Sequence, residues 1–123
     1  MRLLQNRYKD PWKQAVVCIL LNRTHRRQVR PLLPELFRRY PSPLAMARSG
    51  PELEELIRPL GLWRQRADGL RRFCRDWRAH RPLEQCHGIG RYALESHAIF
   101  QLGRYDFEPE DRELRAYVEA RRG

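Results

Sequence analysis

Two short segments of the chain hold the residue types that can do chemistry. Residues 86–93 read Cys-His-Gly-Ile-Gly-Arg-Tyr-Ala, and Asp111 follows eighteen residues beyond Ala93, in Glu-Pro-Glu-Asp. Gly88 and Gly90 flank one aliphatic residue, Ile89. Two glycines so placed let a backbone turn tightly and approach a phosphate that a Cβ would hold off. Arg91 and Tyr92 follow directly, a cation and a phenol where a helix is due to begin. A carboxylate kept near such a turn, in a strongly basic chain, can stabilise a developing positive charge or can simply cap a helix.

The elements that must position these groups read as helices. Leu83 precedes the turn, and Ala93, Leu94, Ala98, Ile99 and Leu102 follow it at helical spacing before Gly103 supplies a stop. That is a helix-hairpin-helix arrangement. Upstream, Asp10-Pro11 is an N-cap with proline at the first helical position, and Trp12, Ala15, Val16, Ile19 and Leu20 form one face of a helix ending near Asn22. A second helix follows Thr24 and carries Val29, Leu32, Leu33, Leu36 and Phe37, with Pro34 bending it or delaying its start. Ser42-Pro43 opens a short helix to about Arg48, and Pro51 opens another through Ile57. Pro59-Leu60-Gly61-Leu62 then breaks the chain. From Trp63 to about His80 a longer helix buries Ala67, Leu70, Phe73, Cys74 and Trp77, and Pro109 starts a last helix with Leu114, Tyr117 and Val118. No segment alternates as a strand would. The prediction is an all-α fold, one compact helical domain over residues 1–123.

The net charge is +10, and of the 25 lysines and arginines only Lys9 and Lys13 are lysine. An acidic partner is implied, nucleic acid first, since the planar guanidinium fork suits phosphate and stacks on bases. The cysteines, Cys18, Cys74 and Cys86, are scattered and form no CxxC pair, which argues against zinc or an iron–sulfur cluster. Cys18 lies in an apolar helix and reads as a buried thiol. No apolar run approaches the ~20 residues of a membrane span, and no secretory signal precedes the first helix. The expectation is an intracellular, DNA-associated protein with no membrane partner.

The order Asp-Pro-Trp-Lys at 10–13, Leu-Asn-Arg-Thr at 21–24, Pro-Leu-Gly-Leu at 59–62, His-Gly-Ile-Gly-Arg-Tyr at 87–92 and Pro-Glu-Asp at 109–111 resembles the helix-hairpin-helix DNA glycosylase superfamily. Within it, the resemblance is to the group typified by the glycosylase domain of methyl-CpG-binding domain protein 4. It runs from about Leu3 to about Tyr117, without any methyl-CpG-binding domain, as in a free-standing catalytic domain. The resemblance implies a monofunctional enzyme of base excision repair that removes thymine or uracil from G:T or G:U mismatches. It further implies a monomer acting on double-stranded DNA, with no cofactor beyond a monovalent cation that family members often hold at the hairpin.

Under that resemblance Asp111 is the catalytic carboxylate, stabilising the oxocarbenium-like sugar as the N-glycosidic bond stretches. Tyr92 joins it in the catalytic set, where strand-cleaving relatives carry lysine, and Gln5 with Tyr92 forms the base pocket. Gln5 matches only if one residue is deleted before Asp10. Gly88, Ile89, Gly90 and Arg91 hold the DNA backbone. Arg23 enters the duplex where the base has left, and Leu62, after Gly61, wedges a base step open. Each residue has an ordinary alternative: Asp111 as a helix cap, Arg23 as a phosphate contact or solvated helix end, Leu62 as core packing. Glu113 stands where a basic residue is expected. A non-catalytic DNA-binding module and a bifunctional enzyme with lyase activity stay open as other readings, Tyr92 disfavouring the second.

Overall fold

The computed structural model describes residues 3–122, and all regular structure among them is helical. Helix α1 spans Pro11–Leu21. The Asp10 carboxylate accepts the Trp12 N–H at 2.9 Å, which fixes where the helix starts. Gln14, Val17 and Cys18 are buried along with Trp12, Ala15, Val16 and Leu20. α1 is therefore covered on nearly every side, where the sequence pattern pointed to one face.

The single helix expected after Thr24 is two. His25, not Thr24, caps α2 (Arg26–Val29): its Nδ1 accepts the Arg27 N–H at 3.1 Å. A 3₁₀ turn at Arg30–Leu32 then breaks the run at Pro31, and α3 covers Leu33–Arg39. Pro34 falls in the first turn of α3, where its missing N–H has no helical partner to lose. α4 (Pro43–Ala47) starts under the Ser42 hydroxyl, which accepts the Ala45 N–H at 3.1 Å, and α5 spans Pro51–Ile57. After a 3₁₀ turn at Arg58–Leu60, α6 runs from Trp63 to Arg78. Arg71 on α6 donates to the Ser49 and Gly50 carbonyls and pairs with Glu54, tying α4 and α5 to this long helix. The end of α6 closes by bonds from the His80 N–H to Trp77 and from the Arg81 N–H to Asp76, with His80 in the left-handed region at φ 59°.

A 3₁₀ turn at Leu83–Gln85 leads into the hairpin and α7 (Arg91–Phe100). The buried stripe of α7 is Ala93, Ser96 and Ile99, whereas Leu94 and Ala98 are only half-buried and Leu102 is 61% exposed. Small Ala93 and Ser96 turn inward because α7 lies close against α1. The last helix, α8, covers Arg112–Arg122 and so begins three residues later than Pro109 suggests. Asp111 stops it from starting earlier: its carboxylate accepts the Leu114 N–H at 3.0 Å, the geometry of a cap.

Buried side chains gather in two clusters. The larger joins residues of α1 through α6, among them Val16, Leu36, Leu70 and Phe73. The smaller holds Leu3, Ile99, Leu114 and Val118, with Tyr92, Phe100 and Tyr117 partly buried against it.

Candidate functional site

A cavity of about 480 Å³ opens where the N-terminal segment, the end of α1, the hairpin and the start of α8 meet. Gln5, Arg23, Gly88, Gly90, Arg91, Tyr92 and Asp111 all line it, although they come from four distant parts of the chain. Gln5 is 1% exposed. Its amide donates to the Tyr92 hydroxyl at 2.7 Å and to Ser96 Oγ at 3.1 Å. Both amide hydrogens are thereby engaged, and Oε1 makes no hydrogen bond among the described residues. Gln14 holds this strip in place by donating to the backbone carbonyls of Gln5 and Tyr8, each at 3.2 Å.

Burial pushes the Tyr92 phenol well above its ordinary range; Cys18, Asp111 and Glu113 push it further, against the Gln5 hydrogen bond. The phenol therefore keeps its proton at neutral pH and remains a donor. Cys18 also lines the cavity, beside Ser96, and burial raises its thiol to about 12. A thiol held neutral there is a small apolar surface rather than a nucleophile.

Asp111 caps α8 and faces the cavity at once. Oδ2 takes the Leu114 N–H, and Oδ1 has no hydrogen bond among the described residues. Its segment is held from α7: the Glu110 N–H donates to the Glu95 carboxylate at 3.0 Å, and Arg91 pairs with Glu110 at 3.0 Å. Arg115 donates to the carbonyls of Pro109 and Glu110 at 3.1 and 3.2 Å. Glu113, where a cation was expected, lines the same cavity and adds a second negative charge beside Tyr92.

In the hairpin only Gly88 needs to be glycine for its conformation, with φ +84°. Gly90 is extended at φ −111°, and a Cβ there would meet nothing within 4 Å. The expectation that both glycines make the turn is corrected: Gly90 keeps an outward face of the backbone bare instead. The Ile89 side chain is partly buried against the larger core. Arg23, at φ +60°, is exposed and unpaired among the described residues. Leu62, at φ +48° and 58% exposed, is not core packing; it stands outside the cavity after Gly61, itself at φ +76°. Cys18, Ser96 and Glu113 are the lining or supporting groups that the sequence reading did not assign to the pocket. Cys18 and Ser96 interrupt apolar helical stripes, which is the signal that was available.

Residues 16–119 match the HhH-GPD superfamily of base excision DNA repair proteins. The chain belongs to that superfamily. Its relatives include a methyl-CpG-binding domain protein 4-like protein of Arabidopsis thaliana, 34% identical over 119 residues, covering 94% of this chain and 27% of the relative. A thymine-DNA glycosylase of Aeropyrum pernix is 48% identical over 62 residues, covering 50% of this chain and 28% of the relative. A thymine/uracil-DNA glycosylase of Pyrobaculum aerophilum is 32% identical over 105 residues, covering 77% of this chain and 46% of the relative. The superfamily member thus spans less than half the length of each of these relatives. Among the described residues no His, Cys, Asp or Glu side chains group in threes to hold a metal ion, and no helix is long and apolar enough to cross a membrane.

Proposed function

We propose that this superfamily member is a monofunctional DNA glycosylase that releases thymine or uracil mispaired with guanine, acting as a monomer on double-stranded DNA. One observation carries the reading: a single cavity gathers an amide oxygen (Gln5), a protonated phenol (Tyr92) and a carboxylate (Asp111), with Arg23 and the hairpin at its edge. The amide and phenol offer an acceptor and a donor to a pyrimidine edge turned out of the helix. The printed names of two relatives support the pyrimidine class.

The reaction is a hydrolysis. The bond from C1′ to the base nitrogen breaks, a water oxygen bonds to C1′, and the water's proton ends on the departing base. Positive charge builds on the sugar before the water closes in, and Asp111 is placed to stabilise it. The balance needs water alone, so no cofactor is called for; a monovalent cation at the hairpin would serve the grip on phosphate rather than the bond cleavage. A lyase step would need an amine to attack C1′. Position 92 is tyrosine, Lys9 donates to Asn6, Lys13 lies over the Phe37 ring, and neither lysine lines the cavity.

The test is a panel of G:T, G:U and A:U duplexes, with free base as the readout. Release from G:T and G:U is expected, leaving an intact strand that breaks only on heating with alkali and gives no borohydride-trapped adduct. No base release from any duplex would leave a DNA-binding module, and an efficient trapped adduct would replace the monofunctional reading with a bifunctional one.

A further inference from the structure

We propose that Arg66 is a positioning residue that couples the two segments meant to enter DNA, fixing Arg23 and Leu62 relative to each other; this rests on the glycosylase reading above. Arg66 lies in the first turn of α6. Its Nε donates to the Gly61 carbonyl at 2.9 Å, and its Nη1 donates to the carbonyls of Asn22 at 3.2 Å and Leu20 at 3.4 Å. One guanidinium thus joins the end of α1 to the turn before α6, segments about forty residues apart in sequence.

Two of these carbonyls belong to the residues directly before Arg23 and Leu62. A peptide unit is planar, so holding the C=O of one residue fixes the plane from which the next residue departs. Arg23 and Leu62 both leave that plane in the left-handed region, at φ +60° and +48°. L side chains adopt that conformation only where the surroundings enforce it. For both residues the same cation supplies part of that enforcement. The rigid planar fork reaches the two segments from separate nitrogens, Nε and Nη1, held in a fixed relation, whereas an ammonium would have to reach all three carbonyls from one nitrogen on a flexible stem.

Arg66 has no carboxylate partner among the described residues, and burial lowers its pKa. An arginine serving only the stability of α6 would more economically pair with an acid, as Arg71 does with Glu54. Here the charge is directed at the carbonyl end of α1, where a cation also complements the helix dipole. Displacing either loop by even an ångström would separate the residue that fills the vacated space from the one that opens the step.

Arg66→Lys and Arg66→Met test this, with hydrogen exchange and single-turnover base release measured on the same samples. Amides of segments 20–24 and 58–63 are expected to exchange together at least about tenfold faster in both variants. Base release from a G:U duplex is expected to fall by about tenfold or more, while duplex affinity stays within about threefold. Arg66→Lys is expected to add little further loss on an Arg23→Ala background, since both act on the same step. Unchanged exchange in the two segments, or a change in only one, overturns the coupling, as does a rate loss that merely follows lost stability. If Arg66→Met does not fold, Arg66→Lys decides. Should the wild-type chain release no base at all, the enzymatic reading fails separately, and the exchange of the two segments alone judges the clamp.

Discussion

The two packed bodies of this molecule are unequally supported, and the candidate site is divided between them. The larger is built from α1 to α6 around fully buried side chains, and it carries the hairpin, Arg23 and Leu62. Among the described residues the smaller has Leu3, Ile99, Leu114 and Val118 buried, rimmed by partly exposed rings such as Phe100, Tyr105 and Phe107. Asp111 caps the helix that belongs to this smaller body. Gln5 and Tyr92 lie on the seam, joined by a 2.7 Å hydrogen bond. Arg23, Leu62 and the hairpin turn, proposed to grip DNA, and Asp111, proposed to act on the sugar, therefore depend on different cores, and mutation can separate them.

The largest effect expected from this division comes from matched truncations. Leu70 and Leu114 are both fully buried, and Leu→Ala at either site leaves a cavity costing about 2–5 kcal/mol. In Leu70→Ala, structure, DNA affinity and base release are expected to be lost together in one cooperative thermal transition. In Leu114→Ala, amides of α8 and residues 108–111 are expected to exchange early, with base release falling while the duplex still binds. Following unfolding by hydrogen exchange and by binding distinguishes the two patterns. A single shared transition in both variants would break the two-body account.

Arg23→Ala sharpens the same comparison with a smaller effect. Arg23 hangs from the larger body with no partner among the described residues, so its loss is expected to disturb neither core. A fluorescent base analogue opposite the extruded position is expected to report about tenfold less flipping, with little change in melting temperature. If flipping is unchanged and the salt slope of binding drops by about one, Arg23 is a phosphate contact and no more.

How much of this was legible in the sequence follows from how local each signal is. Asp10, Ser42 and the prolines at 11, 43 and 51 set the starts of three helices, because a cap and its partner lie within three residues. The one helix expected after Thr24, bent or delayed at Pro34, is instead broken at Pro31, while Pro34 sits in the first turn of α3, where the N–H it lacks has no helical partner. The start of α8 was misjudged at Pro109, since the carboxylate that sets it also serves the cavity. Gln5, Tyr92 and Asp111 could be placed together only through the family resemblance; no periodicity links positions so far apart. Ser96 and Gln14 were missed because a polar residue on an apolar stripe shows its purpose only when its partner is known. The Arg91–Glu110 pair, which holds the Asp111 segment, is equally non-local.

The smallest effect, absent at neutral pH, is expected at two buried thiols of the larger body, Cys18 on α1 and Cys74 on α6. Burial raises Cys18 from 9.0 to about 12 and Cys74 to about 11. In the unfolded chain these thiols ionise first, so their contribution to stability is complete below about pH 9 and is lost as the pH rises toward the folded values. Unfolding free energies from urea titrations near pH 8 and near pH 10.5 are expected to differ by about 2 kcal/mol per thiol at most. Cys18→Ala and Cys74→Ala should each remove part of that alkaline loss. A wild-type stability flat across this range would mean that the thiols are reached by water.

The division between grip and chemistry is tested most directly by Asp111→Asn under single-turnover conditions on a G:T duplex. The amide oxygen can still accept the Leu114 N–H, so the cap and the smaller core are expected to persist, and duplex affinity is expected to stay close to wild type. Base release is expected to fall by a factor worth several kcal/mol, on the order of a thousandfold, because a charge aimed at the developing sugar cation is gone. Retention of a substantial fraction of the wild-type rate would contradict the account and leave Asp111 as a helix cap.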